Sequence, residues 1–390
     1  SLRRQRQMCI RDRPINPPLK EYGSSSDSAP LLRIQAVAND LPKLLLTDRV
    51  ERTIKSLSTD DFDVSELLDK NSEEEINLAM SQLSFIAHAY ILGGSEPKSL
   101  LPKVIAKPWV DLSKVLARPP VLSYASYCLH NWYLLDSEEP IGLDNVALIN
   151  NFLGGIDEDW FVTIHVCIEN AASNAIDASK EIAKCTNESD EALVEDLLNK
   201  ISISMAAVNE IFKRMPERCD PYVYYHRVRP FIFGSKDNPD LKNGVIYEGE
   251  YGNQSQFFRG ETGAQSSIMP TLDGAMGIEH SEDSLRHYLN EMRDYMPLEH
   301  RKFIEQVESK SVVKEIIKDS DGLTDAYNKC LEEIRAFRAL HLQYARTYIH
   351  NQSKQKNPFG AGGSTIRGTG GTPFMKYLKK HRDETQKQKQ

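Results

Sequence analysis

Among ten histidines, His300 has the setting of a metal ligand. It lies in MRDYMPLEHRKFIEQV, where Pro297 opens a helix that carries His300, Phe303, Ile304 and Val307 on one face. A neutral imidazole on such a face can hold a metal, although a lone histidine there is more often a satisfied core residue. His165, in WFVTIHVCIENAASNAI, is similarly placed, with Phe161, Ile168 and Glu169 near it on a helix. Arg229 sits among aromatics in PYVYYHRVRPFIFG. A guanidinium holds a carboxylate through two parallel hydrogen bonds, and the plainer reading of one arginine is a surface ion pair. The run RGETGAQSS at 259–267 offers backbone N–H donors to an anion, or is a turn before a helix. GTGGT lacks the G-x-x-x-x-G-K-[ST] order, so nothing supports a kinase or ATPase. H-E-x-x-H, C-x-x-C-H and carboxylate clusters at metal-ligand spacing are absent from the sequence.

The elements that must position these residues read as helices. Ser72 and Glu75 have capping-box spacing, and Ile76, Met80, Leu83, Ala87 and Tyr90 recur at three- and four-residue steps until Gly93-Gly94. Similar periodicity predicts helices over 159–182, 191–215, 284–295, 297–307 and 323–351. Alternating strand character is not persuasive anywhere, so the expected fold class is all-α. Residues 1–30 read as a leader outside the fold, since SLRRQRQMCIRDR lacks the apolar stretch of a secretory signal and 16–29 is rich in Pro, Ser and Gly. Residues 353–372 read as a flexible loop, a mobile lid, ending in a Thr372-Pro373 helix start with a short helix expected over 374–380. There is no internal repeat.

The 390 residues are 40% hydrophobic and 27% charged, with 48 basic against 56 acidic side chains and a net charge of −8. That balance gives no electrostatic footprint for a nucleic acid or an anionic membrane. Every apolar run breaks before the roughly 18 residues a membrane-spanning helix needs. A small-molecule substrate is the easier expectation. The six cysteines are scattered, which suits a reducing, cytoplasmic setting.

Taken together and in order, KDNPDLKNGVIYEG, GAQSSIMPTLDGAMGI, MRDYMPLEHRKFIE and GTGGTPFMKYLKK resemble the indoleamine 2,3-dioxygenase family, over about 41–380. The resemblance implies a small helical domain, 31–152, and a large helical domain, 153–390, enclosing haem b. It implies cleavage of the indole C2–C3 bond of L-tryptophan by the co-substrate dioxygen, giving N-formyl-kynurenine. An unidentified electron donor would rescue ferric iron. The protein would be a cytoplasmic monomer that binds neither nucleic acid nor membrane.

Carried over by position, the resemblance makes His300 the proximal ligand of the haem iron and Arg229 the clamp for the substrate carboxylate. Tyr124, Phe161, Tyr224 and Tyr225 would line the indole pocket, with His165 at the distal position, accepting the indole N–H or steadying dioxygen. Gly263 and Ala264 match the loop at the haem edge, Asp273 a haem-side acidic position, and Thr369 the loop threonine that reaches substrate and haem propionate. Two other functions compete with this one. An oxygen carrier of the same fold needs neither Arg229, Tyr224 nor the GTGGT loop, and a haem-free interaction protein needs no His300 in its motif.

Overall fold

The protein is described from a computed structural model covering residues 17–22, 28–186, 190–318, 320–354, 369 and 374–390. Most of the expected leader and of the 353–372 loop, with its Thr372-Pro373 start, lies outside the described residues, but the described part of the leader belongs to the fold: Tyr22 is buried, its hydroxyl donates to Gln82 Oε1 at 2.8 Å, and the first helix begins at Ala29. The principal helices are α1 (Ala29–Leu46), α2 (Glu73–Leu92), α3 (Lys103–Leu116), α4 (Ile156–Ile182) and α5 (Glu191–Lys213). They continue with α6 (Ile268–Ala275), α7 (Ser284–Arg293), α8 (Leu298–Glu308), α9 (Asp321–Tyr344) and α10 (Phe374–Gln386).

The all-α expectation holds, with short strands added. Leu100–Leu101 pairs in parallel with Val245–Tyr247, which pairs antiparallel with Ser255–Gln256, while Trp132–Leu134 pairs antiparallel with Val146–Leu148. Strands of two or three residues are too short for alternation to show.

Local chemistry sets most helix ends. The Ser72 hydroxyl accepts from Glu75 N at the start of α2, whose first turn carries Glu73, Glu74 and Glu75 against the helix dipole. Gly93 ends it for a steric reason, since a Cβ there would lie 2.3 Å from Ala89 O and 2.4 Å from Leu45. At the C-terminus, α10 runs beyond the expected 374–380. Tertiary contacts extend it: Glu384 bonds His280 at 2.7 Å, the Thr385 hydroxyl meets Arg338, and the helix packs along α9.

Two large apolar cores stand out among the described residues. One gathers α1, α2 and α3 with Phe152 and with Ile232 and Tyr247 from later in the chain, and the other joins α4, α5, α6 and α9. Among the described residues, no helix is long and apolar enough to cross a membrane.

His88, buried on α2, ties the first core to two segments that shape the site. Its Nδ1 donates to Phe231 O at 2.8 Å, and Nε2 accepts from Leu122 N at 3.0 Å. Both nitrogens are committed in the neutral form, and burial lowers the imidazole to about 4. Because the folded value lies below the usual 6.5, the stabilisation is complete above pH 6.5 and is lost as pH falls towards 4. At about 1.4 kcal/mol per pH unit, His88 alone accounts for on the order of 3 kcal/mol. Thermal melts between pH 7 and 4.5 are expected to show this loss, and a His88→Gln variant a shallower pH slope. Equal slopes would remove His88 from the acid response.

Candidate active site

The longest helix, α4, supplies one wall. Phe161, His165 and Glu169 follow one another at four-residue steps, so they share a face. The helix is anchored at its start. Gly154 and Gly155 take positive φ, 68° and 101°, in a turn that most side chains would strain. The buried Glu158 carboxylate accepts from Phe152 N, Leu153 N and Gly154 N at 2.8, 3.2 and 3.0 Å. Burial raises that carboxyl to about 7 even against those three donors.

Tyr124 and Tyr224 pack against these side chains and extend the wall. The Phe161 ring lies 4.8 Å from Tyr224 and 4.4 Å from His165, and the Tyr124 ring meets His165 edge-on at 6.0 Å. Glu169 closes the base, accepting from the Tyr124 hydroxyl at 2.8 Å and the Ser266 hydroxyl at 2.7 Å. Burial raises its carboxyl, and these two hydrogen bonds oppose the rise. Gln265 locks the loop in place. Its side-chain carbonyl accepts from Tyr124 N at 2.8 Å, and its amide donates to Gly260 O at 2.9 Å.

The loop meets the arginine segment backbone to backbone. A Cβ on Gly234 would fall 2.2 Å from Gly260 N, and one on Gly260 would fall 2.3 Å from Gly234 N. Only glycine at both positions permits the crossing. It sets Arg229 and the 260–267 loop at a fixed spacing. Arg229 itself is fully buried, its guanidinium 5.1 Å from the Tyr225 ring centre and 4.5 Å from that of Phe233. Burial lowers it to about 10, with Tyr224 and Tyr225 pulling the other way, so it remains cationic at neutral pH.

The two histidines are both neutral. His165 Nδ1 lies 2.7 Å from Phe161 O, and since a carbonyl only accepts, Nδ1 carries the proton. Burial lowers the imidazole, so Nε2 keeps a bare lone pair and acts as an acceptor. His300 projects from α8 with Nδ1 3.1 Å from Ser267 Oγ. Burial lowers it to about 4, and the nearby Arg118 cation adds to the effect. With Nδ1 donating to the serine, Nε2 is free of any hydrogen bond among the described residues and suits a metal.

Arg118 is 4% exposed, and its recorded partners are neutral: Ser123 Oγ at 3.3 Å and Asn77 Oδ1 at 3.2 Å. It lies within electrostatic reach of His130 and His300, lowering both. A buried cation beside a ligand-ready imidazole, with no carboxylate among its described partners, suits an anionic ligand.

A profile of the indoleamine 2,3-dioxygenase family matches residues 32–388. The chain belongs to the indoleamine 2,3-dioxygenase family. It is 35% identical to indoleamine 2,3-dioxygenase 1 of Rattus norvegicus over 361 residues, covering 90% of this chain and 88% of the relative. It is 31% identical to the Saccharomyces cerevisiae indoleamine 2,3-dioxygenase over 415 residues, covering 93% and 90%.

Within this family member, the expected site residues are not all together. Tyr124, Phe161, His165 and Tyr224 form one wall, and Gly263 borders it in the loop, with no atom of the described residues within 4 Å of where its Cβ would be. Ala264 packs instead against the apolar cluster of Val121, Leu285, Tyr288, Met292 and Tyr295, and its backbone N–H is capped by Thr262. Thr369 reaches the same loop, its hydroxyl donating to Glu261 O. Tyr225 lies beside Arg229, whose guanidinium is 5.1 Å from its ring centre. Asp273 is engaged elsewhere: Arg338 holds it through two contacts of 2.7 Å and His280 through one of 2.9 Å. Burial works to raise that carboxyl, but Arg338 and His280 prevail and hold it well below the usual range. Sequence reasoning did not single out Arg118, Ser267 or Gln265. Each acts through one long-range contact, and no local pattern announces it.

Proposed function

We propose that this chain is a haem-dependent dioxygenase that opens the indole C2–C3 bond of L-tryptophan, giving N-formyl-kynurenine. The observation that carries the reading is the complete burial of the Arg229 cation within electrostatic reach of Tyr224, whose ring packs on Phe161. A desolvated guanidinium next to an aromatic slot recognises a carboxylate attached to a flat ring.

Haem b fits the residues present. His300 offers a neutral, oriented imidazole as the axial ligand, Arg118 a buried cation for a propionate, and Gly263 the space for a porphyrin edge. Bound ferrous haem supplies the chemistry by which dioxygen adds across the C2–C3 bond. The protein's part is to bind, orient and exclude water. Arg229 holds the substrate carboxylate, Phe161 and Tyr224 pack against one face of the indole, and Thr369 with the Gly263 backbone faces the ammonium end. Since His165 Nε2 is an acceptor, its role here is to receive the indole N–H rather than to donate to dioxygen.

The 31–152 and 153–390 domains, a monomeric cytoplasmic protein and an electron donor that restores ferrous iron belong to the same reading. Haem-reconstituted protein, reduced and aerated with tryptophan, is expected to form N-formyl-kynurenine. A persistent oxygen complex without product would make the protein an oxygen carrier.

A further inference from the structure

Where α10 meets the segment that follows α6, the fold gathers side chains that the proposed reaction does not use. His280 has both ring nitrogens on carboxylates: Nδ1 lies 2.7 Å from Glu384 Oε2, and Nε2 lies 2.9 Å from Asp273 Oδ2. Arg338 grips Asp273 through two contacts of 2.7 Å, so that carboxylate is fixed. His381, about one helical turn before Glu384 on α10, stacks on His280 with ring centres 4.3 Å apart. Its Nε2 is buried and has no hydrogen-bond partner among the described residues. His280, His381 and Glu384 each offer a ligand atom within 4.8 Å of the other two.

We propose that His280, His381 and Glu384 form a binding site for a divalent transition metal of the zinc type. Two imidazoles and one carboxylate, with a fourth position open to water, are a donor set that tetrahedral zinc takes. The support for it is already in place. A metal-bound imidazole usually donates its other N–H to a carboxylate, and His280 Nε2 faces Asp273 in that manner. The ion takes the place of the proton between His280 Nδ1 and Glu384 Oε2, as metals do at the ligands they deprotonate. Glu384 keeps its other oxygen for Ser281 Oγ at 2.8 Å and Lys380 Nζ at 3.4 Å. Zinc–ligand distances of roughly 2.0–2.2 Å set ligand atoms about 3.4 Å apart, so Glu384 draws back from His280 and His381 closes in. For that the His381 ring turns out of its stack about χ2, a broad torsion for histidine, and no hydrogen bond at Nε2 holds it back. Burial keeps that ring neutral, with the Arg338 and His280 cations adding to the effect. Glu384 also lines an open surface cavity together with Asp383, Lys376, Lys379 and Lys387, which gives a hydrated ion and its counter-anions a way in. Neither Arg229 nor His300 belongs to this cluster, so it stands apart from the dioxygenase reading.

The full chain, loaded with haem and stripped of other metal by a chelator, is titrated with zinc chloride against a chromophoric competitor. Wild type is expected to take up one zinc per chain besides its iron. His381→Phe keeps a ring in the stack and removes the ligand atom, while Glu384→Gln keeps an acceptor for Ser281 and removes the charge. Each should weaken zinc binding by more than the roughly 10–100-fold that loss of an outer-shell partner costs. Far-UV circular dichroism and melting report folding. Cobalt(II) is the second probe, and its visible spectrum in wild type should be that of a four-coordinate ion. No uptake beyond iron by the wild type overturns the proposal, as does binding of wild-type strength in either folded variant, which would mark an adventitious ion only. If a variant does not fold, the wild-type cobalt spectrum decides, a pale six-coordinate complex overturning the site. Formation of N-formyl-kynurenine reports on the dioxygenase reading separately, since zinc uptake does not depend on it.

Discussion

His300→Ala protein is expected to lose stoichiometric haem, with its Soret absorbance absent or strongly weakened after reconstitution. His300 combines a neutral imidazole, an Nδ1 partnered by Ser267 and an Nε2 without a hydrogen bond among the described residues, beside the buried Arg118 cation. Without it, propionate and apolar contacts alone would have to hold the porphyrin. Ser267→Ala should be milder, keeping haem but loosening the imidazole, because the serine orients the ligand and does not replace it. Haem retained at full occupancy in His300→Ala, with an unchanged ferrous spectrum, would show that the ligand is another residue. His130 would then be next to examine, since it shares the same neighbourhood.

Arg229→Leu is the second large effect, and it leaves the iron side untouched. The guanidinium is fully buried, so what it binds is bound without competition from water. Losing one side of a buried charge pair costs on the order of 2–5 kcal/mol. That is roughly 30-fold to several thousand-fold in kcat/KM for tryptophan, at about 1.4 kcal/mol per factor of ten. Haem spectra should survive. Indole analogues without a carboxylate should lose their disadvantage relative to tryptophan, because the group that favoured tryptophan is gone. Kinetics unaltered in the variant would move the carboxylate clamp to another cation.

Both predictions began as sequence readings and gained their physical content from tertiary structure. His300 was visible as a histidine on an apolar helical face, and that pattern is equally that of a core residue. What separates the two is whether Nδ1 has a partner and Nε2 does not. That depends on Ser267, 33 positions away in the chain. Arg229 was visible as a guanidinium among aromatics, and only the fold decides that it is buried rather than on the surface.

The sequence by itself determined the helices, because their signals are local. A Ser72 cap three residues before Glu75, a four-residue apolar rhythm and Gly93 at the end need no distant partner. It also determined the face that carries Phe161, His165 and Glu169, since helical geometry follows from spacing alone. Tertiary structure decided the rest. The Gly234–Gly260 crossing joins segments whose approach no spacing rule encodes. It is the same with Asp273, an acidic residue by sequence whose meaning changes once Arg338 is found beside it. Tyr224 and Tyr225, adjacent in sequence, part company because successive helical side chains leave the axis roughly 100° apart, so that one ring packs on Phe161 and the other lies beside Arg229. The charge of a buried group depends on its desolvation and its partners, which come from all over the chain. For that reason neutral His165, cationic Arg229 and raised Glu261 became legible only in three dimensions.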